Sequence, residues 1–381
     1  MQNFVFHNPT KLIFGKDSMD QIRENVEAVG TRVLLTYGGG SIKNNGVYDK
    51  VMSQLKDFDV KEFGGIESNP RIETLQKAID IARDFEPDIL LAVGGGSVVD
   101  GTKLIASAVY YKGDPWEIVE DKEVPPRYIP IGVVLTLAAT GTEMNPSAVI
   151  TKWEENKKDF FENDKVRPVF SILDPQNTYS VSKDQSAYGV IDAFIHVMEQ
   201  YMTTTSDAPL QDRLAESVLQ TLVEYGPKVL ENPKNYDVRE TLMWSATMAL
   251  NGVIGAGVAQ DWATHMIEHE FSAFYDIPHA AGLAVIHPAW LEVVAKDQKR
   301  AKLIQFGKRI WGLDGSDEEI MDGAIKKTAE FYAQMGAKMK FGDWDIDEKH
   351  FDEVVARLTE KGIGEITLKE DQIREILAKS L

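Results

Sequence analysis

The stretch Asp88-Ile-Leu-Leu-Ala-Val-Gly-Gly-Gly-Ser-Val-Val-Asp100 decides the fold. Its apolar run shows no alternation. A strand reads this way when both of its faces are buried, as in a parallel sheet covered by helices on each side. The run ends in Gly94-Gly95-Gly96, and a helical pattern starts near Ser97. Working outward, Lys11-Leu-Ile-Phe14, Arg32-Val-Leu-Leu-Thr36, Tyr128-Ile-Pro-Ile-Gly-Val-Val-Leu135 and Pro168-Val-Phe-Ser-Ile-Leu173 read as further strands, with amphipathic stretches among them. Buried runs alternating with helices predict a mostly parallel sheet. Asn69-Pro70 reads as a helix entrance, with Asn69 as N-cap and Pro70 at the first helical position.

After Ser182 the rhythm becomes long and helical. Ser182-Lys-Asp-Gln185 has capping-box spacing and opens a helix through Tyr201. Further helical patterns run over 210–230, 238–250, 261–274, 317–335 and from 371 to the end, with no strand-like alternation among them. The expected division is an α/β domain over residues 1–180 and an all-α domain over residues 181–381.

Bulk properties narrow the function. The 381 residues are 43% hydrophobic, enough for folded cores. A net charge of −19 argues against a nucleic-acid partner and against docking on anionic membranes. The absence of cysteine excludes disulfides, thiolate metal ligands and thiol catalysis. The amino terminus lacks a secretory pattern, and no run approaches the roughly 18 apolar residues of a membrane span. A cytoplasmic enzyme is expected.

Three segments at strand ends have the character of phosphate cradles: Tyr37-Gly38-Gly39-Gly40-Ser41, Gly94–Asp100, and Thr136-Leu-Ala-Ala-Thr140-Gly141-Thr142-Glu143. Glycines let backbone approach a pyrophosphate, and a helix N-terminus supplies N–H groups. The first two miss the Gly-x-Gly-x-x-Gly fingerprint, because Lys43 and Val99 stand at the third-glycine positions, and no Walker lysine follows. A plain tight turn accounts for any one of them. Three at the strand ends of one sheet point to a dinucleotide.

Five of the seven histidines lie between 196 and 287. Asp192 and His196 are four apart on the capped helix, so they share a face one turn apart, with Glu199 near as a supporting carboxylate. His265 and His269 repeat the spacing, and His279 follows. A lone helical histidine is usually a surface or hydrogen-bonded residue. Two such pairs plus a further histidine suggest an oxygen- and nitrogen-ligated Zn²⁺ or Fe²⁺. His265-Met-Ile-Glu268-His269 also fits the inverted zinc-peptidase pattern, with Glu268 as base. That reading leaves Asp192, His196 and the glycine turns without a role. His287 reads as structural, and His7 and His350 stand apart.

Tyr37-Gly-Gly-Gly-Ser-Ile-Lys43, Gly94-Gly-Gly-Ser-Val-Val-Asp100, Thr140-Gly-Thr-Glu-Met-Asn145, Asp192-Ala-Phe-Ile-His196 and the block Asp261–His279 together resemble the iron-containing (group III) alcohol dehydrogenase family, in its butanol dehydrogenase and broad-range aldehyde reductase branch. The resemblance covers nearly the whole chain. It implies a dehydroquinate synthase-like fold: a Rossmann-like, dinucleotide-binding N-terminal domain followed by a helical metal-binding domain. It implies one divalent ion, Fe²⁺ or Zn²⁺, on Asp192, His196, His265 and His279, with His269 a catalytic non-ligand beside the substrate. It puts Asn69, Gly95, Gly96, Ser97 and Asp100 along the cofactor, with Thr136, Thr140, Asn145 and Lys158. Gly38, Gly39 and Ser41 join them at the adenosine end. The reaction implied is hydride transfer between a nicotinamide and a small primary alcohol or aldehyde, the metal polarising the substrate oxygen, in a homodimer.

Gly38 stands near the place where other members carry an aspartate. A carboxylate there accepts hydrogen bonds from the ribose and repels a 2′-phosphate. Gly38–Ser41 instead offers N–H groups, a hydroxyl and open space, and Lys43 lends charge. NADP(H) is therefore expected to be preferred, with NAD(H) admitted. Two rivals remain, a binding protein without chemistry and a dehydroquinate-synthase-like lyase. The lyase needs basic residues around a phosphonate-bearing substrate, and 261–282 contains no Lys or Arg.

Overall fold

The computed structural model of the chain describes residues 1–205 and 207–381. Strands β1 (Lys11–Phe14), β2 (Arg32–Tyr37), β3 (Asp59–Phe63), β4 (Ile89–Gly94) and β5 (Ile131–Leu135) belong to one six-stranded sheet. An antiparallel ribbon follows, formed by β6 (Ser147–Lys152) and β7 (Lys157–Glu162), and β8 (Phe170–Leu173) completes the sheet. The sheet is parallel throughout, in the order β1-β8-β5-β4-β2-β3.

Alternate residues of the central strands serve opposite faces. Val33, Leu35, Leu91, Val93 and Val134 pack with α1 (Ile22–Glu27) and α2 (Val47–Gln54). Leu34, Leu90, Ala92 and Val133 pack with α3 (Ile72–Phe85), α4 (Gly96–Ala108) and the short α5 (Trp116–Val119). Both faces are thus apolar, which is why β4 reads as an unbroken run. The chain leaves β2 toward β3 and leaves β4 toward β5, in opposite directions across the sheet. A crevice opens at such a switch point, outside the carboxyl ends of the two strands.

Three features depart from the sequence reading. β3, Asp59-Val-Lys-Glu-Phe63, is a charged edge strand paired, among the described residues, only with β2, and charge on an edge suppresses both the apolar signal and unwanted pairing. The β6–β7 ribbon is equally polar in part. Asn69-Pro70 does not cap α3. Asn69 has φ 53°, Pro70 O accepts the Thr151 N–H at 2.8 Å, and Arg71 makes a bridge with Thr151. Contact with β6 holds Asn69 in the left-handed region and Arg71 extended, and the helix starts at Ile72.

The chain forms two compact units. The sheet unit comprises His7–Ser182 and Pro233–Thr247, and the other comprises Met1–Phe6, Lys183–Asn232 and Met248–Leu381. The second unit is helical. It contains α6 (Lys183–Tyr201), α7 (Pro209–Glu231), α9 (Ala263–Tyr275), α10 (His279–Trp290) and further helices at Arg300–Ile310, Asp317–Gln334, Phe351–Lys361 and Glu370–Ser380; α8 (Tyr236–Ala249) begins in the sheet unit. α6 packs on α7 and α10 and is buried on every side from Gly189 to Tyr201. A helix buried all round normally carries only apolar residues. Asp192, His196 and Glu199 on it therefore call for partners. Among the described residues, no helix is long and apolar enough to cross a membrane.

Candidate active site

The polar residues of α6 meet those of α9 and α10 inside the helical unit. His196 Nε2 lies 3.6 Å from Asp192 Oδ1, and His279 Nε2 lies 3.8 Å from the same oxygen. One ligand atom each from Asp192, His265 and His279 falls within 4.8 Å of the others. The His196 and His265 rings stack with centroids 4.8 Å apart. Three helices thus bring together the four residues expected to hold a metal. His279 arrives at the first position of α10, just after Pro278.

Two buried carboxylates stand behind the cluster. Glu199 meets His265 Nδ1 with one oxygen, and its other oxygen accepts the N–H groups of Thr264 (2.9 Å) and His265 (3.2 Å). Glu268 meets His279 Nδ1 and accepts from the Ser272 hydroxyl. A carboxylate on Nδ1 fixes each ring and leaves Nε2 as the ligand atom. Glu199 was within reach of sequence reasoning through its place on the α6 face. Glu268 as the partner of His279 was not, because eleven residues and a helix break separate them. One carboxylate with imidazoles and no sulfur is a donor set suited to Fe²⁺ or Zn²⁺. Burial, with His265 and His279 alongside, pushes His196 well below the usual imidazole range. It is therefore neutral, the form that binds metal. Burial, with Asp261 nearby, pushes Glu199 well above the carboxylate range, while the two backbone N–H groups oppose the rise.

His269 lies one turn beyond His265, buried, with its ring centroid 5.7 Å from that of His279. A ligand atom of His269 also groups with Glu268 and His279 within 4.8 Å. The peptidase-like alternative needs Glu268 to activate water, but both of its oxygens are engaged by His279 and Ser272. His287 Nδ1 pairs with the Tyr332 hydroxyl at 2.8 Å, and burial pushes this imidazole down to about 3. Although 261–282 contains no cation, Lys299 comes within 3.4 Å of Asp261 in space. It also pairs with Glu365, so its charge is neutralised locally.

In the sheet unit, the glycine turns line one edge. Gly38 and Gly39 follow β2, Gly95 and Gly96 follow β4, and Thr136 follows β5. These strands are neighbours, and the Thr136 N–H donates to Gly94 O at 2.9 Å. α4 begins at Gly96, where an added Cβ would sit 2.8 Å from Thr140 side-chain atoms. Glycine there lets the Thr140 loop lie against the helix start. Asn69 and Lys158, far apart in sequence, are joined by a 3.0 Å hydrogen bond from Lys158 Nζ. Lys43 Nζ lies 3.2 Å from Glu62 and over the Tyr37 and Tyr48 rings. Asp100 and Asn145 turn into the protein: Asp100 accepts from Thr142 and the Val149 N–H, and Asn145 accepts from Lys103 and the Ser147 N–H.

Helix-borne carboxylate and imidazole ligands, with glycine turns on a parallel sheet, are the equipment of a metal-assisted, dinucleotide-linked oxidoreductase. Residues 9–175 match the iron-containing alcohol dehydrogenase model, and residues 186–381 match the C-terminal model of the Fe-containing alcohol dehydrogenase family. The chain belongs to the iron-containing alcohol dehydrogenase family. It is 48% identical to the NADPH-dependent aldehyde reductase YqhD of Escherichia coli K12, over 96% of this chain and 95% of that protein. It is 44% identical to the probable NADH-dependent butanol dehydrogenase 2 of Bacillus subtilis, over the full length of both. The crystal structure of NADH-dependent butanol dehydrogenase A from Thermotoga maritima superposes with a TM-score of 0.95 at 38% identity, covering 100% of this chain and 99% of that one.

Proposed function

We propose that this chain reduces small aldehydes to primary alcohols of butanol size, and runs the reverse oxidation, with NADP(H) preferred, NAD(H) accepted and one Fe²⁺ or Zn²⁺ ion. The observation that carries the proposal is the approach of Asp192, His265 and His279 ligand atoms to within 4.8 Å inside the helical unit. In this reading residues 1–180 form the dinucleotide-binding domain and 181–381 the metal-binding domain. Asp192, His196, His265 and His279 hold the ion, and Glu199 and Glu268 keep the ligating rings oriented. When bound, the ion supplies a Lewis acid to the substrate oxygen and the nicotinamide supplies or accepts the hydride. Asp192 and the three imidazoles would hold such an ion with one formal negative charge, so part of its charge would remain to favour an oxyanion. A ring nitrogen of His269 passes the proton to the substrate oxygen in reduction and takes it back in oxidation.

Gly38, Gly39 and Ser41 receive the adenosine end of the dinucleotide. Gly95, Gly96, Ser97, Thr136 and Thr140 receive the pyrophosphate and its neighbours, and Asn69 and Lys158 line the same edge. The two curated relatives bear opposite cofactor names, NADPH-dependent and NADH-dependent, so preference falls to the residues after β2. A cytoplasmic homodimer completes the proposal. The exposed Phe4-Val5-Phe6 stretch is consistent with a surface that a second copy covers.

The test follows NADPH absorbance with butanal present, before and after chelation and on restoring Fe²⁺ or Zn²⁺. Butanal-dependent oxidation that the chelator abolishes and the metal restores is the expected result. Turnover indifferent to thorough metal removal, or none with any small aldehyde, overturns the proposal.

A further inference from the structure

Lys103 lies wholly buried in the middle of α4. Burying an ammonium is costly unless acceptors surround it. Here Nζ donates to Thr142 Oγ1 (2.7 Å), Asn145 O (3.0 Å), Asn145 Oδ1 (3.1 Å) and Ser147 O (2.7 Å). Three of these acceptors belong to the loop between β5 and β6, and the fourth, Ser147 O, is on the first residue of β6. An ammonium has three N–H donors and an amine two, so this acceptor set suits the charged form.

Asp100, three residues earlier on α4, grips the same loop. One of its oxygens accepts the Thr142 hydroxyl at 2.6 Å and the other accepts the Val149 N–H at 3.1 Å. The Thr142 hydroxyl therefore donates to Asp100 and accepts from Lys103. Asn145 closes the loop on itself, donating to Thr140 O at 3.2 Å and accepting the Ser147 N–H at 3.1 Å. These contacts fix where Thr140 sits relative to the start of α4. That spacing is tight, because a Cβ on Gly96 would collide with Thr140.

We infer that Lys103 is a positioning residue for dinucleotide binding: with Asp100 and Thr142 it pins the 140–147 loop to α4, so that Asp100 and Asn145 serve the cofactor by holding this loop rather than by touching it. The inference rests on reading the turns after β2, β4 and β5 as the dinucleotide site. Burial pushes the Lys103 ammonium down to about 8, with the charges of Asp100 and Glu143 opposing the fall.

The experiment compares Thr142→Val, Thr142→Ser and Lys103→Met with wild type. NADPH affinity is read from nicotinamide fluorescence without substrate, beside KM and kcat with butanal, metal content and thermal melting. Thr142→Val should raise both Kd and KM for NADPH roughly tenfold, the scale of one lost hydrogen bond to a charged group, with a smaller change in kcat and wild-type metal content. Thr142→Ser, which keeps the hydroxyl, should recover most of the affinity. Lys103→Met should raise Kd further; should it fail to fold, the Thr142 pair decides. A Thr142→Val protein that melts earlier but binds NADPH within about twofold of wild type overturns the inference, because the pin would then be structural only. Wild type that binds neither NADPH nor NADH refutes the underlying site reading and the inference with it. Wild-type binding beside unaltered variant binding refutes the inference alone.

Discussion

The helical unit and the sheet unit prepare their ligand groups by opposite means. On α6, α9 and α10, polar side chains reach into a buried interior and converge, with Glu199 and Glu268 behind them. Along the sheet edge, the polar side chains Asp100, Lys103 and Asn145 turn inward to secure a loop, and in the proposed reading the glycine backbone is left for the ligand. The difference follows from the ligands. A metal ion needs lone pairs on carboxylates and imidazoles. A pyrophosphate needs N–H donors, which any glycine-rich strand end before a helix can supply.

The largest effect that would break this contrast concerns the side-chain half. His265→Ala and Asp192→Ala should each lose at least roughly 100-fold in metal affinity, more than the loss typical of an outer partner, and activity should go with it. Elemental analysis after dialysis reads this directly, and full occupancy in both variants would remove the cluster from the mechanism. His269→Ala should keep its metal, lose about 100-fold in kcat, the low end for a general acid–base group, and change its pH profile. Loss of metal there, with retention in His265→Ala, would exchange the two roles. Glu199→Gln and Glu268→Gln should cost about 10- to 100-fold in metal affinity, since each supports one ring. Affinities equal to wild type in a chelator competition would reduce both carboxylates to packing.

On the backbone half, Gly39→Asp should move the NADPH-to-NADH ratio of kcat/KM toward NADH by roughly tenfold, about 1.4 kcal/mol. A Cβ on Gly39 meets nothing within 4 Å, whereas one on Gly38 comes within 3.2 Å of Ile66 O, so Gly38→Asp should fold less well. An unchanged ratio in both variants would mean that this turn lies away from the 2′ carbon.

The smallest effect is a pH dependence. Lys103 falls to about 8 in the folded chain from an ordinary 10.5, mainly through burial, amid the charges of Asp100, Glu143, Arg167 and Glu162. Between those values the unfolded chain holds more protons than the folded one. Its contribution therefore makes stability rise with pH across this window. Denaturant titrations should show the rise in wild type relative to Lys103→Met. A constant difference between the two proteins from about pH 8 to 10.5 would contradict it.

Much of the site is written in local periods. Asp192/His196 and His265/His269 declare themselves because four residues make about one helical turn. The β4 run and its glycines declare the sheet for the same reason: an unbroken apolar run describes two buried faces. Lys103 left a trace that a closer reading would catch, a charge set between Val98-Val99 and Leu104-Ile105-Ala106 in a helix buried from Val98 to Ala108. β3 left almost none, since an edge strand carries charge in place of an apolar run.

What the sequence by itself determined is therefore periodic and near in chain: a parallel sheet with glycine-ended strands, a helical second half, and two carboxylate- or histidine-bearing helix faces. Only the tertiary structure decided which groups meet across long chain separations. Glu199 meets His265, Glu268 meets His279 across a helix break, Lys158 meets Asn69, and Lys103 meets the loop after β5. It also decided that Asn69-Pro70 stays outside the helix rather than capping α3, because the Thr151 N–H binds Pro70 O. The physical reason is that hydrogen-bond and charge partners are chosen by burial. A buried polar group must find its complement wherever the packed helices and strands bring one, and that distance in space leaves no period in the chain.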